Sequence, residues 1–201
     1  MQAERGASLS PSDAGDRHPR RRPLGIFFGV AAAAYLLDLA TKVLAVQRLE
    51  GRAPVHVVGD LLQLNLVRNP GAAFSTGTSY TLVLSLVAVT AVTVVLLLSR
   101  RLNDRLWAVG LGFLLGGVLG NLTDRIFRAP GFLHGHVVDF FQLPSWPVFN
   151  VADMCINLAA AVIILQAVRG VSYTGDRHGK HRDGGDDDVL GRDAAAGHDE
   201  R

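Results

Sequence analysis

Four long apolar runs, separated by polar segments, set the pattern of this chain. They cover residues 24–46, 80–98, 106–123 and 148–168. Each comes close to the roughly 20 apolar residues that a helix needs to cross hydrocarbon. The pattern therefore predicts an all-α membrane protein with four transmembrane helices. The run 80–98 carries no charge, and 24–46 carries only Asp38 and Lys42. Those two stand at i, i+4, so they are expected to pair on one helical face as a structural ion pair. The run 106–123 is rich in glycine, with Gly110, Gly112, Gly116, Gly117 and Gly120. Small residues let helices approach closely in lipid, so this run is predicted at the centre of the bundle. Arg20, Arg21 and Arg22 ahead of an apolar run also fit a secretory signal peptide. The first run is longer than such an h-region, however, and three more follow it.

Between the first two runs the period changes. Residues 53–58 and 61–67 read as strands, with Leu62, Leu64 and Leu66 alternating with Gln63 and Asn65. Gly59-Asp60 supplies the turn. The expectation is a small extracytoplasmic β-sheet on this first outer loop, lying on the membrane. Pro70-Gly71 breaks the second strand. Asn69 then sits at a rigid turn, where it either meets a substrate backbone or closes an Asx turn. A second outer loop, 124–147, holds two short apolar stretches, 132–133 and 137–143, around His134-Gly135-His136. Trp146 suits a membrane interface.

Composition agrees with a membrane protein. The 201 residues are 49% hydrophobic, and the mean hydropathy of +0.25 is too high for a soluble domain with two polar ends. A net charge of +2 gives no footprint for nucleic acid. One cysteine, Cys155, excludes an intramolecular disulfide. Arginine placement sets the predicted orientation. Arg20–Arg22, Arg100, Arg101, Arg105 and Arg169 flank the runs on one side, which the positive-inside rule places in the cytoplasm with both termini. Arg48, Arg52, Arg68, Arg125 and Arg128 fall on the other side and blur that signal. Residues 1–23 and 169–201 have little apolar content and are expected to be disordered cytoplasmic tails. His178, His181 and His198 lie in an expected solvated tail, and His134 and His136 lack further His or Cys ligands nearby, so no metal or cofactor is expected.

Candidate chemistry clusters at the start of the fourth run, in FNVADMCIN (149–157). Asn150, Asp153 and Asn157 fall at i, i+3 and i+7, one face of a helix. A carboxylate in hydrocarbon is expensive and ordinarily serves function. Asp139 lies shortly upstream, and Asp124 ends the third run with Asn121 one turn before it. All three acids are expected at one depth. Two carboxylates close together at low dielectric share one proton. Such a pair can activate water against a peptide bond, one acid as base and the other as acid. Proton- or ion-coupled carriers also hold intramembrane carboxylates, here Asp38, Asp139 and Asp153. They would spread them through the membrane rather than gather them at one face. A purely structural scaffold gives no reason for a polar face on the fourth run.

The motifs RNPGAAF (68–74), GNLTDR (120–125), HVVDF (136–140) and FNVADMCIN (149–157), with DLATK (38–42), resemble lipoprotein signal peptidase (signal peptidase II) in content and order over residues 24–168. That resemblance implies an aspartic endopeptidase of the bacterial inner membrane, working at the outer face; a monomer is expected. It would remove the signal peptide from diacylglyceryl-modified prolipoproteins, before the lipidated cysteine, with membrane lipid as its surroundings. It implies Asp139 and Asp153 as the catalytic pair and Asn69 and Arg125 as substrate contacts. Asn121, Asp124, Asn150 and Asn157 would be polar residues supporting the site. Arg125, next to Asp124, is expected to hold that acid ionised. The segment between Asp124 and Asp139 is longer than the family pattern, around residues 127–134.

Overall fold

The computed structural model describes residues 23–71 and 79–175. Most of the two tails, His178, His181 and His198, and residues 72–75 of the RNPGAAFS stretch lie outside them. Four helices are long and apolar enough to cross a membrane: α1 (Leu24–Leu49), α2 (Ser79–Ser99), α3 (Arg105–Phe127) and α4 (Val151–Val168). The helix pattern is as expected, with α1 three residues longer at its end, to Leu49, and with differences in α3 and α4. Helix α3 continues past Thr123, so Asp124 and Arg125 lie within its last turns. Helix α4 starts three residues later than the apolar run, because Asn150 takes an extended conformation and caps it.

Three antiparallel strands, β1 (Val55–Val58), β2 (Leu62–Asn69) and β3 (Val137–Gln142), form a sheet in that order at one end of the bundle. The first two are the expected hairpin. The third comes from the second loop, which carried no strand expectation. Its VVDFF core is buried along most of its length, so it shows no alternation to read. Val138 and Phe140 of β3 pack with Leu64 and Leu66 of β2 onto Ala45 and Leu49 of α1. The sheet is thus seated on the end of α1 by its apolar face.

Helix α3 is the centre of the bundle. A Cβ at Gly112 or Gly116 would meet the main chain of α1 at Phe27 or Ala31, 2.8 and 2.6 Å away. At Gly110 and Gly117 it would meet Val162 and Ala152 of α4. The glycines therefore line two contact stripes, one per neighbour, and allow the close approach. Helix α2 leans on α3. Between it and α4 runs an apolar trough of about 620 Å³, walled by Val83, Val87, Val94, Trp107, Leu114 and Ile163. At the sheet end, α2 is tied to the loops: Thr81 donates to Pro70 O (2.5 Å) and Ser85 to Leu133 O (2.6 Å).

At the opposite end, residues after α4 are not free. Trp107 Nε1 donates to Val171 O (2.8 Å), Asn103 N to Tyr173 O (3.0 Å), and Tyr173 packs edge-on against Trp107.

The glycine stripes yield a stability prediction. Gly116→Val forces a side chain into the α1 backbone and should destabilise by about 1–3 kcal/mol or more. Gly29→Ala, with nothing within 4 Å, should be neutral or slightly stabilising. Thermal unfolding of the detergent-solubilised protein distinguishes the two.

Candidate active site

The site is built where β3 meets the first turn of α4. Residues 137–142 run antiparallel to β2, with Val67 opposite Asp139 and Asn69 opposite Val137. Opposed residues share a face, so Asn69 lies diagonal to Asp139. Its Nδ2 donates to Asp139 Oδ2 at 2.8 Å, and its Oδ1 accepts the Gly71 N–H at 2.8 Å. The Asx turn is present, and it aims the amide at the acid. Both ends of the Asn69 side chain are thereby engaged within the protein.

The chain then leaves β3 and returns at once. Phe149 bridges back to Phe141, its N–H donating to Phe141 O (3.0 Å) and its carbonyl accepting from Phe141 N (2.8 Å). This pins Asn150 beside Asp139. Asn150 is fully buried and makes three kinds of contact. Its Oδ1 accepts the Asp153 N–H and its own N–H donates to Asp153 Oδ2, both at 3.0 Å, a reciprocal helix cap. Its Nδ2 donates to Asp139 Oδ1 at 2.6 Å. One asparagine is therefore bonded to both acids.

Asn121 of α3 completes the link. Its Nδ2 donates to Asp153 Oδ1 (2.9 Å), and its Oδ1 accepts from Asn150 Nδ2 (3.1 Å) and Lys42 Nζ (2.9 Å). Close approach of α4 to α3 is allowed by Gly117, where a Cβ would meet Ala152 O, while Gly120 leaves room for the Asp38 carboxyl of α1.

The remaining charges do not fall where sequence neighbours suggest. Asp124 is paired with Arg128 and with Lys42 Nζ (2.9 Å), not with Arg125. Adjacent residues on a helix point about 100° apart, while i, i+4 residues face one way. Asp124 Oδ2 also accepts the Val138 N–H at 3.2 Å. Arg125 lies instead against Gly71, with Asp139, Asp153 and Asp124 as the charges in its reach, and its buried Nη1 has no hydrogen-bond partner. Asp38 and Lys42 pair as expected, at 2.8 Å, but fully buried. Asn157 is the one predicted site residue left outside: it is exposed on α4 and makes no hydrogen bond within the described residues. Asn150 and Asn157 do not share the expected helical face, because Asn150 is a cap.

Burial raises the Asp139 carboxyl to about 6, and the Asp153 charge pushes the same way; donation from Asn69 and Asn150 opposes both. Four carboxylates, Asp38, Asp124, Asp139 and Asp153, gather here with three cations, Lys42, Arg125 and Arg128. The set is neutral when the four acids hold one proton between them.

The sequence model of the signal peptidase (SPase) II family matches residues 30–169. The chain belongs to the signal peptidase II family. The lipoprotein signal peptidase of Mycobacterium avium (strain 104) is 47% identical over 173 residues, covering 86% of this chain and 92% of its own. That of Rhodococcus jostii (strain RHA1) is 49% identical over 162 residues, 81% of this chain and 80% of its own. A bacterial membrane enzyme solved by the in meso method at 1.9 Å resolution has the same fold: TM-score 0.64 and 22% identity, over 72% of this chain and 94% of that one. The family and the four apolar helices make this a multi-pass membrane protein and a protease.

The network separates two asparagines of one motif. Asn150→Ala removes a cap, about 1 kcal/mol, and leaves buried acceptors unpaired, about 1–3 kcal/mol more. Asn157→Ala should stay within about 0.5 kcal/mol of wild type. Thermal unfolding checks both.

Proposed function

We propose that this signal peptidase II acts on prolipoproteins as an aspartic endopeptidase, with Asp139 and Asp153 as its catalytic pair. The observation that carries the reading is Asn150, which is bonded to both carboxyls. Its relatives are named lipoprotein signal peptidases, which supports a lipid-modified prolipoprotein as substrate.

The raised Asp139 holds the proton of the pair, and Asp153 is the ionised partner. Asp153 takes a proton from water, and the resulting hydroxide attacks the scissile carbonyl. Asp139 donates its proton to the carbonyl oxygen. Collapse of the tetrahedral intermediate expels the amine, which leaves with a proton returned by the pair. Arg125, with a buried donor still unpaired, is suited to hold a substrate carbonyl. Asn69 and Asp124 support the acids rather than touch substrate, given that their side chains are already engaged. The exposed Asn157 remains available to a substrate.

The substrate helix would lie in the apolar trough between α2 and α4, reached sideways from the membrane. The sheet end would face outward from the bacterial inner membrane, with both termini cytoplasmic. Arg125 and Arg128 belong to the site, and Arg68 pairs with Glu50 at 2.5 Å. Discounting these three sharpens the arginine asymmetry toward the other end. The enzyme would work as a monomer among membrane lipids.

Purified protein should cleave a diacylglyceryl-modified peptide before the lipidated cysteine, while folded Asp139→Asn and Asp153→Asn should be inactive. Cleavage at the normal rate by either variant rejects this pair. The pH dependence follows from Asp139. Activity that needs its proton should fall as pH rises through about 6. Asn69→Ala removes a donor that favours the ionised form, so this alkaline limb should move to higher pH. A limb that stays in place or moves down would contradict the assignment of the proton to Asp139.

A further inference from the structure

We propose that Lys42 is a positioning residue for the Asp139–Asp153 pair, acting through three oxygen acceptors gathered round its ammonium. The inference rests on the reading of those two acids as the catalytic pair. Lys42 is fully buried on α1, in a part of the chain that contributes neither acid.

Its Nζ lies 2.8 Å from Asp38 Oδ2, 2.9 Å from Asp124 Oδ2 and 2.9 Å from Asn121 Oδ1. Each of these partners then fixes a different part of the pair. Asp38 Oδ1 accepts the N–H of Ala152 at 2.8 Å, the residue just before Asp153. Asp124 Oδ2 accepts the N–H of Val138 at 3.2 Å, the residue just before Asp139. Asn121 donates directly to Asp153 Oδ1 at 2.9 Å. One ammonium thus braces the main chain ahead of both acids and the side chain of one.

The chemistry of the donor sets the orientation of Asn121. An ammonium only donates, so the amide must turn its oxygen toward Lys42. Its NH₂ is then left facing Asp153 and donates to the form that acts as base. Asn150 Nδ2 donates to the same oxygen at 3.1 Å, so without Lys42 that orientation rests on one donor instead of two. The bland alternative is a simple buried ion pair with Asp38. That alternative accounts for one of the three contacts and for none of the onward bonds.

The test uses Asp38→Asn/Lys42→Met in the full-length enzyme. It removes one buried cation together with one buried anion and keeps an acceptor for the Ala152 N–H. Thermal unfolding verifies the fold. Cleavage of a diacylglyceryl-modified peptide should then lose about 100-fold in kcat, the scale of a small misplacement of reacting groups. KM should stay within about twofold, because the loss is confined to the transition state. Adding Asn121→Ala should cost less than about threefold more, since the two residues act as one unit. Full kcat in the folded variant overturns the proposal. So does a change in KM alone, or a fully multiplicative loss with Asn121→Ala. If the variant does not fold, Lys42→Gln decides. Glutamine can still donate to Asn121 Oδ1, so kcat within about fivefold of wild type, alongside a large loss in Asn121→Ala, supports positioning. A folded Lys42→Gln as inactive as Asn121→Ala overturns it. Asp139→Asn and Asp153→Asn run in the same assay. If either of those cleaves normally, the pair itself is wrong; if both are inactive and the Lys42 variant is not, only this inference fails.

Discussion

Charges cannot be taken out of water singly. The effective penalty is several kcal/mol per ion, and removing one partner of a buried pair leaves the other to bear it. Four acids and three bases meet at the sheet end of this bundle, so each is tolerated only because the others are there. The fold is arranged to bring them together from separate elements. Helix α1 supplies Asp38 and Lys42, α3 supplies Asp124 and Arg125, the residue that ends α3 is Arg128, β3 supplies Asp139, and α4 supplies Asp153. Contacts of 2.8 to 2.9 Å tie these three helices to one another. The glycine stripes of α3 provide the close approach. Packing and electrostatics are one constraint here: widen the helix spacing by a side chain and the ion pairs open.

Much of this could be seen in the sequence, where a local period carries the signal. The four apolar runs, the Gly59-Asp60 turn and the Asp38–Lys42 pair all rest on spacing within a few residues. The motif residues of the site could be named, but their partners could not. Asp124 beside Arg125 looks like a pair, yet a helix turns successive residues apart, and the partners prove to be Arg128 and a lysine on another helix. Asn150 looks like part of a helical face and proves to be its cap. Strand β3 is hidden for another reason. Valine and phenylalanine cover both of its faces and leave no alternation. The one acid in its middle, Asp139, points to chemistry in the sequence and gives no sign of the strand that carries it.

Asn69 shows how a single side chain can serve two purposes. Its oxygen closes a turn, and its nitrogen holds an acid. Asn150 does the same at the start of α4, serving as cap and as bridge. Polar groups are scarce at this depth, so each one is used for local structure and for the site at once. A substitution there cannot change chemistry while leaving the backbone alone.

The linear order of these parts has a consequence for biogenesis. Asp139 leaves the ribosome before the last helix, while the asparagine that bonds both acids and the second acid itself come at the start of that helix. The sequence ahead of α4 carries the glycine helix, the hairpin and Lys42, but not Asp153. The site closes only when α4 docks against the glycines of α3. With the proposed pair, a chain truncated before that point lacks one of its two acids.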